Sequence, residues 1–196
     1  MAKTDKKKRA DIVAKATDLY WEKGFHGTSM RNLQEVIDIR PGSIYAAFGS
    51  KEGLFKEALQ HYAQQGLQHL SALKENSDSP LAALKQFVKS AVIDSQMQAP
   101  SGMCMLAKTI SELTEDNADL LSEAKRLLTI IEDSFASTLL EAQQMNEIPS
   151  HKDCQQLARN LQVQIMGLRT YSRVNYQPEI IANMIDATFL ALQQNT

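Results

Sequence analysis

The chain has 196 residues, of which 43% are hydrophobic and 22% are charged, so it can fold around a sizeable core as an ordinary globular protein. A formal net charge of −2 argues against indiscriminate binding of nucleic acid by the whole molecule, although residues 1–60 carry +3 and the remainder −5. Two cysteines are too few for a disulfide scaffold, and the lack of a signal-peptide pattern or a membrane-length apolar run makes the cytoplasm the expected location.

Hydrophobic residues recur every three to four positions along the chain, which predicts an all-α fold of about nine helices and no strand. A basic tail, residues 1–9, leads into the first helix, which is expected to stop at Gly24. Thr28 or Ser29 is expected to cap the second helix. A short third helix and a longer fourth follow, with Ser50 as the expected cap of the fourth.

The second half of the chain is predicted to hold five further helices. Pro80 and Pro178 are each suited to be the first residue of a helix, because proline lacks the N–H group that would have no partner there. Ser150 and Asp153 resemble a capping box, which predicts that the eighth helix begins at this point. The expected ranges are 80–97, 103–113, 114–144, 150–174 and from residue 178 onward.

Residues 28–48 have the proportions of a helix-turn-helix, with a helix of about nine residues, a tight turn and a second short helix. Asp38 tolerates the positive φ that such a turn needs. The major groove of DNA is about 12 Å wide, and Gly42 would let the backbone at the start of the second helix approach it closely. Ile44 and Phe48 are expected to point inward, which leaves the surface to Ser43, Tyr45, Ala46 and Ala47.

The segment "GFHGTSMRNLQEVIDIRPGSIYAAFGSKEGLF" resembles the N-terminal domain of the TetR family of transcriptional regulators. Two features depart from the family pattern. The turn reads Ile37-Asp38-Ile39 where relatives usually have Ala-Gly-Val, and Ala46 follows the tyrosine where relatives often carry His or Asn. The matching residues are Gly24, Thr28, Gly42, Ser43, Ile44, Tyr45, Phe48, Ser50, Lys51 and Glu52.

The resemblance implies a sequence-specific, DNA-binding transcriptional regulator, namely a ligand-responsive repressor. By this resemblance Thr28 and the Tyr45 hydroxyl would contact phosphates, and Lys51 would meet the DNA backbone through its charge. The residues implied to lie at the floor or the rim of the groove are Pro41, Gly42 and Ser43.

Arg40 is this chain's own candidate for direct base reading, because a guanidinium can bind O6 and N7 of guanine. The alternatives for Arg40 are a phosphate contact or a solvated charge. The basic side chains of the tail either reach DNA or form a solubilising end. Because Ala46 and Ala47 cannot hydrogen-bond bases, shape and phosphate contacts are expected to contribute much of the binding. The tail residues concerned are Lys3, Lys6, Lys7, Lys8 and Arg9.

The resemblance further implies a DNA-binding domain at 1–53, which contains a three-helix bundle, and an effector-binding and dimerisation domain at 54–196. Two subunits are expected to pair through the last two helices, whose apolar stripes are too wide to serve one core, so that the dimer matches a palindromic operator. The expected effector is an unidentified small molecule, and neither a cofactor nor a metal is expected. The candidate effector residues are Tyr62, Phe87, Met103, Cys104, Leu106, Ile110 and Met166.

Cys104 lies near a predicted helix start, where the helix N-terminus can lower a thiol pKa, so it is either a redox sensor or a small buried hydrophobe. The sequence holds no nucleophile motif, phosphate loop or metal-ligand spacing, and an enzyme is not expected. The alternative hypothesis is a helical ligand-binding or adaptor dimer whose DNA-reading head no longer discriminates sequences. The alanines at positions 46 and 47 keep that alternative open.

Overall fold

The computed structural model describes residues 2–38 and 40–194, with all of their side chains except those of residues 2–8 and Pro41. Ile39 of the predicted turn therefore lies outside the described residues. Nine helices and no strand are present in the described ranges, which confirms the predicted all-α class. The first four helices are α1 (Ala2–Lys23), α2 (Met30–Ile37), α3 (Pro41–Phe48) and α4 (Lys51–Glu75).

The fifth helix, α5, consists of three consecutive segments without a break. These are an α-helical segment, Pro80–Lys89, a π-helical segment, Ser90–Asp94, and a last α-helical turn, Ser95–Gln98. A short 3-10 turn, Glu115–Asn117, separates the sixth and seventh helices where the sequence predicted that one long helix begins. The remaining helices are α6 (Met105–Glu112), α7 (Ala118–Gln144), α8 (Cys154–Val174) and α9 (Pro178–Gln193). No helix in the described part of the chain is both long and apolar enough to span a bilayer.

The chain divides into two compact units, and the predicted functional boundary between residues 53 and 54 stays a prediction. The first unit comprises Met1–Gln64 and Met105–Leu128, and the second comprises Gln65–Cys104 and Thr129–Thr196. The helix α6 belongs to the first unit because its side chains bond the end of α1. The Lys108 ammonium donates to the carbonyl oxygens of Trp21 at 3.1 Å and Glu22 at 2.7 Å.

Local signals end and begin the helices of the first unit as the sequence predicts. Gly24 has a φ of +80°, and its N–H donates to the Tyr20 carbonyl at 2.8 Å, which closes α1. Ser29 caps α2 in a capping box with Asn32. Ser50 accepts the Gly53 N–H at 3.1 Å and so caps α4. These confirm the predicted stop at Gly24 and the predicted caps at Ser29 and Ser50.

Aromatic rings fill the centre of the first unit. Tyr20 packs edge-on to Phe55 with the ring centres 4.7 Å apart, and Phe25 lies 5.0 Å from the same ring. Burial raises the pKa of Tyr20, because the interior disfavours the phenolate. The aliphatic residues buried with these rings are Ile12, Val13, Leu19, Leu33, Ile37, Ile44, Leu54 and Leu59.

The second unit has its own core, built from α4, α5, α7, α8 and α9. Pro80 and Pro178 are the first residues of α5 and α9, as predicted. The predicted capping box at Ser150 is wrong, because Asp153 is the N-cap of α8 and its carboxylate accepts the backbone N–H groups two and three residues later. This core includes Phe87, Phe135, Phe189, Leu84, Leu139, Leu161, Ile165, Ile181 and Ile185.

Candidate nucleic-acid interface

The helix-turn-helix is built by α2, a sharp turn and α3. Asp38 adopts the left-handed conformation, with φ of 56° and ψ of 46°, and its N–H donates to the Gln34 carbonyl at 2.9 Å. Arg40 returns to an extended backbone, with φ of −66° and ψ of 147°, and α3 starts at the next residue. The positive φ that the sequence assigned to Asp38 is confirmed, and it redirects the chain between the two helices.

The helix α3 is anchored on one face and open on the other. Ile44 is fully buried and Phe48 is buried, as predicted. The Tyr45 side chain is 49% exposed. This arrangement presents the polar and small side chains of α3 outward as a short reading surface. Its exposed members are Gly42, Ser43, Tyr45, Ala46 and Ala47.

Gly42 has no structural reason to lack a side chain in the free protein. A Cβ atom placed on Gly42 would meet no described atom within 4 Å, and Gly42 does not have a positive φ. Glycine inside a helix is less favourable than alanine by about 0.5–1 kcal/mol. The space above Gly42 is therefore open, and the close approach of DNA at this residue stays a prediction.

Arg40 lies on the surface beside this reading helix. With four residues of α2 and the turn it lines a shallow depression of about 520 Å³, and these four are Arg31, Gln34, Glu35 and Asp38. Arg31 pairs with Glu35 at 2.9 Å on the exposed side of α2. Arg40 is the residue that directly precedes α3, and its contact with a base or a phosphate stays a prediction.

Thr28 does not lie on this surface. Its side chain is fully buried, and its hydroxyl donates to the Gly24 carbonyl at 2.7 Å, so the group predicted to contact phosphate is used inside the fold. The exposed residue at the start of α2 is Ser29, whose hydroxyl accepts the Asn32 N–H at 3.1 Å and donates to Asn32 Oδ1 at 2.7 Å. Because Ser29 is exposed and Thr28 is buried, we put Ser29 in place of Thr28 in the interface proposed below.

Lys51 lies in the first turn of α4, and its side chain also makes contacts within the protein. Its ammonium donates to the Phe25 carbonyl at 2.7 Å and lies 4.2 Å from the centre of the Phe25 ring. Burial lowers the pKa of Lys51, and the neighbouring carboxylates of Glu52 and Glu112 act in the opposite direction. A contact with the DNA backbone would use N–H groups of the ammonium other than the one that bonds the Phe25 carbonyl.

The basic tail is helical, since α1 begins at Ala2. The predicted DNA contacts of Lys3, Lys6, Lys7 and Lys8 fall on side chains outside the described set. Arg9 is described, and it bonds Ala47 and Glu57 within the first unit. Sequence reasoning missed this role because the partner atoms on Ala47 are backbone atoms.

The candidate effector residues are divided between the two units. Tyr62 lies in the first unit, edge-on to Trp21 with ring centres 4.9 Å apart, and Leu106 and Ile110 lie on α6 in the same unit. Their role in binding a ligand stays a prediction. The candidates in the second unit are Phe87, Met103, Cys104 and Met166.

The loop before α6 is held by a buried arginine that the sequence did not single out. Within the second unit, Arg169 donates from Nε to the Gly102 carbonyl at 2.9 Å and from Nη2 to the Met103 carbonyl at 3.2 Å. Cys104, at the end of this loop, is a buried free thiol, and Cys154 is also free. In the described ranges no group of three or more His, Cys, Asp and Glu side chains is arranged to hold a metal ion.

The helix α3 has eight residues, follows a turn with one residue in the left-handed conformation, and packs one face against the core. Its other face exposes a tyrosine, a serine and a glycine. This is the arrangement of the recognition helix in a helix-turn-helix DNA-binding regulator. The family model for bacterial regulatory proteins, tetR family, matches residues 12–58. The model for the tetracyclin repressor-like C-terminal domain matches residues 80–188. The chain therefore belongs to the TetR family of transcriptional regulators.

Individual relatives agree with this assignment. The transcriptional repressor ComR of Escherichia coli K12 is 29% identical over 84% of this chain and 79% of its own length. The transcriptional regulator RutR of the same strain is 33% identical over 62% of this chain and 60% of its own length. A structure of the regulator CifR, a cysteine variant bound to a 26-base-pair operator duplex, superposes with a TM-score of 0.81 at 22% identity, covering 93% of this chain and 95% of that one. A TetR regulator from Cytophaga hutchinsonii superposes with a TM-score of 0.82 at 18% identity, covering 100% and 99%.

Proposed function

We propose that this TetR-family regulator is a homodimeric, ligand-responsive repressor that binds a palindromic operator through α3. The observation that carries the proposal is the reading surface of α3, where Gly42 leaves open space beside the exposed Tyr45. The residues proposed to contact DNA are Ser29, Arg40, Pro41, Gly42, Ser43, Tyr45 and Lys51.

Exposed apolar side chains on the last two helices support pairing of two subunits. On α8, Val163 is 64% exposed and Val174 is 81% exposed, and their separation of eleven residues puts them on one side of the helix. On α9, Ile180 and Met184 are exposed one turn apart. Large apolar side chains exposed on both helices favour an interaction site there. A two-fold dimer would present two copies of α3 to half-sites about 34 Å apart.

The response to a ligand is the second part of the proposal. A ligand that binds one arrangement of the dimer better than another shifts the population toward it, and it releases DNA if the two copies of α3 are then wrongly spaced. The tetracyclin repressor-like C-terminal match supports such a role for residues 80–188. The candidate residues in this part of the chain are Phe87, Met103, Cys104, Leu106, Ile110 and Met166.

The test is selection of bound duplexes from random-sequence DNA, followed by titration of the selected duplex and a scrambled duplex at several salt concentrations. We expect a palindromic selected site, a large preference over the scrambled duplex and a steep loss of affinity with salt. Tyr45→Phe should weaken binding to all sequences, and Arg40→Ala should also relax the base preference at one position. Equal affinity for both duplexes would contradict the proposal and favour the helical adaptor dimer.

A further inference from the structure

Arg9 bonds the far end of the recognition helix. Its Nη1 donates to the Ala47 carbonyl oxygen at 2.7 Å, and its guanidinium carbon lies 4.2 Å from the centre of the Phe48 ring. Its Nε donates to Oε2 of Glu57 at 3.2 Å, and its Nη2 pairs with Oε1 of the same carboxylate. One side chain of α1 thus joins α3 to α4.

The helix α3 needs such a contact because it has only eight residues. A helix of this length is not stable alone, and its last four carbonyl groups have no partner within the helix. Ala47 supplies one of those carbonyls, and a cation at a helix C-terminus also interacts favourably with the helix dipole. Arg9 therefore satisfies the end of α3 both by hydrogen bonding and by charge.

Apolar packing alone does not orient α3. Ile44 and Phe48 fix its depth in the fold, but hydrophobic contact is non-directional. Eight residues span about 12 Å, so a tilt of roughly 10° about one end would move the other by about 2 Å. A hydrogen bond to a base edge fails over a much smaller displacement. The directional bonds of Arg9 are the contacts suited to limit that tilt.

We infer that Arg9 is a positioning residue for DNA recognition. Its guanidinium holds the C-terminal end of α3 in place, and the Glu57 carboxylate holds the guanidinium. The inference rests on the proposed binding of an operator through α3. It assigns Arg9 and Glu57 to contacts within the protein that hold α3, although Glu57 carries a charge that DNA repels.

The alternative, a direct phosphate contact by Arg9, predicts the opposite effect for Glu57. The Arg9 side chain is 43% exposed, so this alternative needs a test. If Arg9 binds phosphate, removing the adjacent carboxylate frees the guanidinium and strengthens binding or leaves it unchanged. If Arg9 positions α3, removing the carboxylate weakens binding in the same way as removing the guanidinium.

The experiment compares Arg9→Met, Glu57→Gln and the double variant in titrations of the duplex selected by the wild-type protein. We expect each single variant to weaken binding about tenfold, with the double variant no weaker than Arg9→Met because both act through one contact. The slope of log affinity against log salt should stay at the wild-type value. Lys15→Met and Asp11→Asn are the matched controls, since this exposed pair on α1 carries the same charges, and they should bind within twofold of wild type.

Two outcomes would overturn the inference. The first is wild-type binding by Arg9→Met. The second is a loss of about 0.9 in the salt slope of Arg9→Met together with equal or tighter binding by Glu57→Gln, which would identify a phosphate contact. Arg9→Lys keeps the charge but not the planar fork, and we expect its affinity to lie between those of wild type and Arg9→Met.

Amide exchange in the free protein separates this inference from the operator proposal. Exchange of the Gly49 amide, which closes α3 on the Tyr45 carbonyl at 2.9 Å, should accelerate in Arg9→Met and in Glu57→Gln but not in the two controls. Unchanged exchange in both variants would overturn the positioning role even if no operator is found. A wild-type protein that does not distinguish the selected duplex from the scrambled one would count against the proposed function instead.

Discussion

The Lys51 ammonium lies 4.2 Å from the centre of the Phe25 ring and donates to the Phe25 carbonyl oxygen at 2.7 Å. Lys51→Met keeps the apolar stem but removes the donor and the charge, so we expect the free energy of unfolding to fall by about 1–2 kcal/mol. Urea titrations followed by the fluorescence of Trp21, the single tryptophan of the chain, would measure this loss. Lys15→Met, in an exposed pair, should change stability by less than about 0.5 kcal/mol, and equal losses in both would contradict the assignment.

Gly42→Ala should separate stability from DNA binding. A methyl group at this position meets no described atom within 4 Å, so we expect the free energy of unfolding to rise by up to about 1 kcal/mol. In the complex the same methyl group would occupy the space proposed for DNA, and affinity for the selected duplex should fall at least about tenfold. Thermal unfolding and duplex titration of one preparation would measure the two effects.

Gly66→Ala is the matched control for this change. Gly66 lies within α4 and also has no described atom within 4 Å of an added Cβ atom. We expect a similar gain in stability and unchanged affinity for DNA. Equal affinity in the two variants would place Gly42 away from the DNA.

The Glu112 carboxylate holds the loop after α1 by accepting the N–H groups of Phe25 at 3.2 Å and His26 at 2.7 Å. Glu112→Ala leaves these donors to solvent, so their hydrogen exchange, measured by NMR, should accelerate by about tenfold. Glu115→Ala removes an exposed carboxylate three residues later and should leave both rates unchanged. Unaltered exchange in Glu112→Ala would show that these bonds do not protect the loop.

Glu123 should make the free energy of unfolding of the first unit depend on pH. Hydrogen bonds from Arg126, and then from Gln60, lower the pKa of Glu123 to about 2, although its burial acts in the opposite direction. Because the pKa is depressed on folding, the stabilisation is complete above the ordinary value of 4.5 and is lost as the pH falls from there toward 2.

Glu123→Gln should therefore reduce the free energy of unfolding by about 1–3 kcal/mol at pH 7, and the difference from wild type should shrink below pH 4.5. Urea titrations at a series of pH values would measure the difference, with Glu115→Gln as the exposed control. A difference that is constant from pH 7 to pH 3 would mean that the ionised carboxylate is not the stabilising form.

Charges placed on the last two helices should separate the subunits. Val174→Glu and Val163→Glu would each bury an unpaired carboxylate in the proposed interface. We expect analytical ultracentrifugation at micromolar concentration to show a dimer for the wild type and a monomer for each variant. Leu140→Glu is the control, because Leu140 is an equally apolar side chain exposed on α7. Dissociation by Leu140→Glu and not by the two valine variants would move the interface to α7.

Much of the fold follows from short-range signals in the sequence. Gly24, Asp38, Pro80 and Pro178 each occupy the backbone position that their own geometry predicts, because φ preferences are properties of single residues. The inward placement of Ile44 and Phe48 follows from helical spacing. The sequence could not decide between Ser150 and Asp153 as the N-cap of α8, because serine and aspartate cap helices about equally well.

The assignment of polar side chains was harder to predict. Thr28, Lys51 and Arg9 resemble surface contacts in the sequence, yet each donates to a backbone carbonyl, of Gly24, Phe25 and Ala47 respectively. Every residue carries such an acceptor, so the partner leaves no mark on the composition. The same holds for Arg169 and the loop before α6.

The short exposed side chains of α3 make this helix a good starting point for altered DNA specificity. Ala46 and Ala47 are exposed, and α3 is held through Ile44, Phe48 and the Ala47 backbone. Larger residues such as Asn, Gln or Arg can therefore be introduced at these two positions while the anchoring contacts stay in place. A library randomised at both sites could acquire new operators at little cost in folding, because neither alanine side chain is buried in the core.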